Sequence, residues 1–139
     1  MSSASDPPLP APSKWFEIEP LGPGAFVVRR TSVRMETSDI VMAYGPLLRW
    51  IAAVRPAGLL VDLRSAPGRN DDPYERAVAP HRKALLTRAE RVAVLVGTPI
   101  GALQVQRHMR EDGVDALVGH DEVALRAHAL GDEGLESTG

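Results

Sequence analysis

The chain has 139 residues, which is enough for one domain with a hydrophobic core of its own. Hydrophobic residues make up 44% and charged residues 24%, and a net charge of -2 predicts no broad attraction to nucleic acid or anionic lipid. The absence of cysteine excludes disulfides, thiolate metal ligands and thiol nucleophiles.

The two ends of the chain have compositions typical of disordered segments. Residues 1–14 contain four prolines among serine and alanine, and residues 131–139 are mostly glycine, acidic and small polar residues. We predict a disordered leader over 1–14, one domain over 15–130 and a flexible tail over 131–139. The start lacks a basic and apolar signal sequence, and no apolar run approaches the roughly 20 residues that span a bilayer, so we expect a cytoplasmic protein without a membrane span.

The first elements are a predicted hairpin and a predicted helix. Residues 15–19 alternate apolar and acidic side chains, residues 21–24 offer turn chemistry, and residues 25–30 form a second short strand. Thr37 or Ser38 is expected to cap the helix. Its apolar stripe consists of Ile40, Val41, Tyr44, Leu47, Leu48, Ile51 and Val54. Pro46 either kinks this helix or begins its regular part.

The central strand is predicted at Gly58–Leu63, a nearly continuous apolar run of the kind that helices cover on both faces. Asp72 is expected to cap the next helix, with Pro73 in its first turn. The apolar residues of that helix are Tyr74, Ala77, Val78, Leu85 and Leu86. Pro80 is expected to divide it.

The pattern then repeats to the end of the domain. Residues 91–96 form a buried strand, Thr98 caps a helix, and Gly113 ends that helix. The apolar residues expected to pack in it are Ile100, Leu103 and Met109. A short strand follows over 114–118, and Asp121 caps a last helix that runs through Leu130. Strands alternating with helices indicate an α/β fold with parallel, right-handed β-α-β units behind an N-terminal hairpin.

This order of elements resembles the STAS domains of anti-sigma-factor antagonists and the related STAS/SEC14-like small bacterial proteins, over residues 15–130. Leu59–Arg64 resembles the family strand that carries an aspartate before the functional loop, and Val92–Val96 resembles the following core strand. The resemblance implies a mixed central sheet with helices packed on it. It also implies a regulatory domain that signals through contacts with another protein.

The phosphorylation site of anti-sigma-factor antagonists is not matched. In that family the helix after the central strand begins with Asp-Ser-Ser-Gly or a close variant, and a kinase phosphorylates a serine there. The corresponding residues 69–73 read Arg-Asn-Asp-Asp-Pro and carry no hydroxyl, and Ser65 lies earlier in the loop. We therefore expect the scaffold of the family without its usual phosphoswitch.

The loop after the central strand is the predicted contact surface. Asp62 is expected to anchor this loop, either by pairing with Arg64 or Arg91 or by accepting hydrogen bonds from helix amides. The alternative is that it faces a ligand. Arg64 and Arg69 could bind a carboxylate or phosphate through paired hydrogen bonds. The predicted partner-binding residues are Arg64, Ser65, Arg69, Asp71, Asp72 and Tyr74.

Three functions remain open on the sequence. The leading hypothesis is a non-catalytic STAS-like domain that binds another protein, with a homodimer left open and no nucleic-acid partner. The second is binding of a small lipid-like or anionic ligand between helices, as the SEC14 similarity implies. The third is a hydrolase or transferase that uses Asp62, Ser65 and a histidine, either His81 or His108. No two of the histidines at 81, 108, 120 and 128 have the i, i+4 spacing of a metal pair, so we expect neither a metal nor a cofactor.

Overall fold

The computed structural model describes Leu9 and residues 13–68 and 71–132. Most of the predicted leader and tail therefore lies outside the described residues, and so does Arg69. The described chain forms a five-stranded sheet and four α-helices. In chain order these are β1 (Phe16–Gly22), β2 (Ala25–Arg30), α1 (Ile40–Val54), β3 (Gly58–Asp62), α2 (Asp72–Leu86), β4 (Arg91–Leu95), α3 (Pro99–Asp112), β5 (Leu117–Gly119) and α4 (Glu122–Leu130).

The sheet is mixed, and its strands lie side by side in the order in which they occur in the chain. β1 and β2 form an antiparallel hairpin in which Phe16 lies opposite Arg30. Every later neighbour is parallel, and the register places Arg29 of β2 beside Asp62 of β3. The predicted α/β class, with a hairpin followed by parallel units, is confirmed.

Helices cover the two faces of the sheet unequally. The larger core lies on the face that carries Val28, Val61 and Val94, where side chains of α1, α2 and α3 pack. The smaller core lies on the opposite face, where Leu125 and Ala129 of α4 pack on the sheet. All five residues of β3 are buried, as expected for a strand covered on both sides.

Both internal prolines lie within continuous helices. α1 runs through Pro46 and α2 runs through Pro80, so the predicted division at Pro80 is wrong. A proline removes one backbone donor and strains one turn, but apolar residues on both sides of Pro80 pack into the same core. That packing holds both halves of α2 in line. None of the helices in the described residues is long and apolar enough to cross a membrane.

Two predicted helix caps were placed on the wrong residue. Asp71, not Asp72, caps α2, because its side chain accepts a hydrogen bond from the Tyr74 amide at 2.9 Å. Before α1 the chain makes a 3-10 turn over Thr37–Asp39, and Glu36 and Asp39 form a reciprocal capping box there in place of a Thr37 or Ser38 cap. The caps predicted at Thr98 and Asp121 are confirmed.

The face of α3 and the position of β5 also differ from the predictions. Ile100 and Leu103 are 70% and 65% exposed, whereas Ala102 and Met109 are buried and Val105 packs on the core. Gly113 ends α3 in a left-handed conformation, and the Val114 amide bonds back to the carbonyl of Met109. The last strand begins at Leu117 and not at Val114.

Gly58 sets the distance between β3 and α4. A Cβ atom at this position would lie 1.8 Å from the backbone oxygen of Ala129, which is far inside van der Waals contact. Backbone cannot rotate away as a side chain can. Close packing of α4 on the sheet therefore requires glycine at the start of β3.

We predict that Gly58→Ala lowers the free energy of unfolding by about 3 kcal/mol, the upper range for overpacking, because α4 must move off the sheet. Urea unfolding followed by circular dichroism measures this. Gly97→Ala is the matched control, since a Cβ there meets nothing within 4 Å, and its stability should stay within about 1 kcal/mol of the wild type. Equal stability of the two variants would contradict the close packing at Gly58.

Candidate functional site

Asp62 lies at the carboxyl end of β3 and is one of two charged residues buried among the described ones, the other being Arg30. Its carboxylate accepts hydrogen bonds from three nitrogens of Arg64: the amide at 3.0 Å, Nε at 3.1 Å and Nη2 at 2.8 Å. Arg29 donates a fourth from Nε at 3.3 Å. Asp62 thus ties the strand end to the first residues of the following loop.

The arginines determine the charge state of Asp62. Burial by itself raises the pKa of this carboxyl group, but the hydrogen bonds from the Arg64 side chain and amide, the charge of Arg64 and the hydrogen bond from Arg29 lower it below its ordinary value of 3.8. The pKa values of both arginines are raised in turn. Asp62 is therefore an ionised acceptor at neutral pH, with its lone pairs already in use.

Further ion pairs connect these two arginines to other acidic residues at the same edge of the sheet. Arg29 also donates to Glu19 at 2.8 Å, and Arg64 donates to Glu122 at 3.1 Å. Arg91, the other partner considered for Asp62, instead donates to the backbone oxygen of Ala129 at 3.3 Å. The sequence analysis missed Arg29, although Arg29 and Asp62 each lie at or next to the end of neighbouring parallel strands.

The residues predicted to bind a partner have different environments. Ser65, Asp71 and Asp72 are exposed, whereas Tyr74 is buried. Arg64 is 42% exposed and forms ion pairs with Asp62 and Glu122. Asp71 caps α2. Arg69 lies outside the described residues. Two of these side chains therefore have structural contacts of their own, and partner binding by the set stays a prediction.

The described residues show no catalytic arrangement of Asp62, Ser65 and a histidine. No hydrogen bond joins Asp62, Ser65 and His81 in the described part of the chain. The Nδ1 atom of His81 lies 3.3 Å from the Ala77 oxygen of its own helix, and His108 lies 3.9 Å from Glu111. Across residues 13–68 and 71–132, no group of three His, Asp or Glu side chains is placed to hold a metal ion.

A partly enclosed cavity of about 260 Å³ lies between the sheet and helices α1, α2 and α3, beneath the loop that follows β3. Leu63, Ala66 and Pro67 of that loop form part of its wall. Most of the wall is apolar, from side chains that include Val61, Val78, Leu85, Leu86, Val94 and Val105. The cavity thus lies beside the carboxyl ends of the parallel strands, where α/β proteins commonly bind ligands.

Arg30 contributes a positive charge to this wall. It is the last residue of β2 and is only 8% exposed. Its Nη1 atom donates to the backbone oxygens of Thr31 and Val33, both at 2.8 Å, and its guanidinium lies 5.9 Å from the centre of the Phe16 ring. No carboxylate of the described residues forms an ion pair with it.

Arg82 is the second arginine in the wall, and its charge is balanced. Nη1 donates to Glu75 at 2.5 Å and Nη2 donates to Asp112 at 3.1 Å, which links α2 to α3. Its Nε–H is buried and has no hydrogen-bond partner among the described residues. The two ion pairs hold Arg82 in place despite that unsatisfied donor.

Tyr44 of α1 also lines the cavity. Burial, together with nearby Tyr74, raises the pKa of its hydroxyl to about 12, although Arg82 and Arg30 oppose the shift. The hydroxyl therefore keeps its proton at neutral pH and can donate a hydrogen bond.

The sequence analysis missed Arg30, Tyr44 and Arg82 as site residues. For Arg30 a signal was present, because the alternation of β2 puts Phe26, Val28 and Arg30 on the same face. A charged residue at an inward position of a strand needs a partner or a ligand. The sequence gives no such signal for Arg82. One of its carboxylate partners, Glu75, lies earlier in α2, and the other, Asp112, lies in α3.

We predict that the contribution of Asp62 to stability is full above pH 3.8 and disappears as the pH falls through its lowered folded-state pKa. At neutral pH, Asp62→Asn should cost about 2 kcal/mol, less than for a fully buried pair because Arg29 and Arg64 are partly exposed. Urea unfolding at several pH values should show this difference from the wild type shrinking in acid. Asp115→Asn, at an exposed position, should show no such trend, and a constant Asp62→Asn difference would contradict the shift.

Comparison with known proteins identifies no relative: no protein-family model, curated protein or solved structure matches the chain. The resemblance to STAS domains therefore stays a prediction.

Proposed function

We propose that this protein is a small-molecule-binding domain whose ligand occupies the cavity beneath Leu63–Pro67. The observation that carries the proposal is a partly enclosed, mostly apolar cavity beside the carboxyl ends of β2, β3 and β4. Binding sites for small molecules combine apolar walls with a few converging polar groups. Here the polar groups are contributed by Arg30, Tyr44 and Arg82.

The size of the cavity limits the ligand. An engineered cavity of about 150 Å³ in another protein binds benzene, a ring of about six non-hydrogen atoms. At the same volume per atom, a cavity of 260 Å³ takes about ten non-hydrogen atoms. Membrane phospholipids and long-chain fatty acids exceed this volume. The proposal keeps the ligand-binding alternative of the sequence analysis and restricts it to a small molecule.

The contacts of the described residues favour binding over catalysis. The Asp62 carboxylate, the only acid of the proposed hydrolase group, accepts four hydrogen bonds from arginines and their backbone. A general base needs a free lone pair within reach of the proton that it removes. Asp62 instead supports the loop that forms part of the cavity wall.

A STAS-like regulatory domain that contacts another protein is the second candidate. The observation in its favour is that Ser65, on the loop that covers the cavity, and Asp71 and Asp72, at the start of α2, are exposed. A partner could contact them without displacing the ion pairs of Asp62. The two candidates are compatible, because one uses the outer surface of the loop and the other uses the space beneath it.

We predict that Val105→Phe abolishes ligand binding, because the larger side chain fills the cavity between α3 and the sheet. The same change should raise the free energy of unfolding by about 0.5–2 kcal/mol, as cavity-filling substitutions do. Calorimetric titration of the full chain with octanoate and with n-octanol, chosen for their size, measures the binding.

Leu103→Phe is the matched control, since it introduces the same ring two residues away on the exposed side of α3. It should bind both probes as the wild type does. The proposal fails if the wild type binds neither probe, or if Val105→Phe binds them unchanged.

A further inference from the structure

We infer that the ligand is a monocarboxylate with a short apolar body, and that Arg30 binds its carboxylate. This inference rests on the proposed cavity function and adds the charge, the orientation and the binding residue. It starts from the contrast between the two buried charged residues of the described chain. Asp62 is neutralised by two arginines, whereas Arg30 has hydrogen bonds to backbone oxygens only.

A buried arginine without an acidic partner is unusual. Arginine is almost never buried unless it is paired, because removing its charge from water costs several kcal/mol. The hydrogen bonds from Nη1 to two carbonyl oxygens offset part of that cost, and so does the contact with the Phe16 ring. A carboxylate in the cavity would supply the missing negative charge.

The other cations of the cavity wall already have partners. Arg34 donates to Glu36 at 2.6 Å, and Arg82 holds Glu75 and Asp112. An anion bound near these residues would compete with carboxylates that the protein itself provides. Among the three arginines of the wall, Arg30 is thus the one whose charge the described residues leave uncompensated.

Tyr44 provides a second donor near the same place. Tyr44 and Arg30 both line the cavity and both lie against the Phe16 ring, with the Tyr44 ring centre at 5.1 Å and the Arg30 guanidinium at 5.9 Å from its centre. A guanidinium together with a phenol hydroxyl matches the two oxygens of a carboxylate.

The charges of the wall favour one negative charge over two. Glu75 lines the cavity, and its ion-pair cluster with Arg82 and Asp112 carries one net negative charge, so a second charge on the ligand would meet repulsion. A phosphate monoester, which approaches two charges near neutral pH, is therefore disfavoured relative to a carboxylate.

The fold sets the orientation of the ligand. Arg30 ends β2 at the carboxyl edge of the sheet, near the loop after β3. Leu85 and Leu86 lie in the last turn of α2, which runs back toward the opposite edge before β4. The carboxylate thus lies under the loop, and the apolar body points along α2 toward these leucines.

Calorimetric titration of the full chain with octanoate, n-octanol, hexanoate and pentyl phosphate tests the inference. A charge-assisted hydrogen bond predicts that octanoate binds about tenfold to a hundredfold more tightly than n-octanol. Pentyl phosphate fits the same volume and should bind more weakly than hexanoate, which has the same pentyl chain. Arg30→Met should bring octanoate down to the affinity of n-octanol while n-octanol binds as before.

Arg107→Met is the control, because it removes an exposed arginine of α3 that does not line the cavity. It should keep the preference for octanoate. If Arg30→Met does not fold, Tyr44→Phe replaces it, since it keeps the ring and removes one donor; we expect a several-fold loss for octanoate and none for n-octanol.

The outcomes separate this inference from the function on which it rests. Equal binding of octanoate and n-octanol to the wild type, or tighter binding of pentyl phosphate than of hexanoate, overturns the monocarboxylate and leaves the cavity function standing. A preference for octanoate over n-octanol that is kept in Arg30→Met overturns the assignment to Arg30. Failure of the wild type to bind any of the four probes overturns both.

Discussion

The buried carboxylate of Asp62 is the constraint on which the carboxyl edge of the sheet depends. It sits at the end of the central strand, and Arg29 and Arg64 satisfy it from a neighbouring strand and from the following loop. Glu19 and Glu122 continue the ion pairs to β1 and α4. A buried charge with its partners in place orients the chain around it, because a carboxylate without those partners would be a charge that water cannot reach. The loop after β3 is held in this way on one side, while its other side covers the cavity.

The cavity follows from how the helices are distributed. Three helices share one face of the sheet and α4 alone covers the other, where Gly58 allows it to pack closely. On the more crowded face, Arg82 of α2 pairs with Asp112 of α3 and holds the two helices together. The space left between these helices and the ends of the strands is bounded by Arg30 and Tyr44. Among the described residues, the two buried charges thus have opposite situations: Asp62 has two arginine partners, and Arg30 has no acidic partner. This difference is the physical basis for assigning an anionic ligand to the cavity.

Much of the fold could be predicted because it depends on local patterns. The alternation in β1 and β2, the apolar run of β3 and the caps at Thr98 and Asp121 each act over a few residues. The predictions failed where tertiary contacts decided the outcome. Pro80 does not divide α2 because packing holds both halves, and Ile100 and Leu103 are exposed because α3 turns another face to the core. The candidate site was only partly predictable: Asp62 was recognised from its place at the strand end, and Arg30 could have been recognised from the alternation of β2. Arg82 and Tyr44 enter the site only through the packing of helices that are distant in sequence.

A crystal structure of the protein grown with octanoate tests the central claim most directly. The account predicts electron density for octanoate beneath Leu63–Pro67, with a carboxylate oxygen within about 3 Å of the Arg30 guanidinium and the apolar end toward Leu85 and Leu86. Octanoate bound at another surface, or bound in the cavity with its carboxylate away from Arg30, would contradict it.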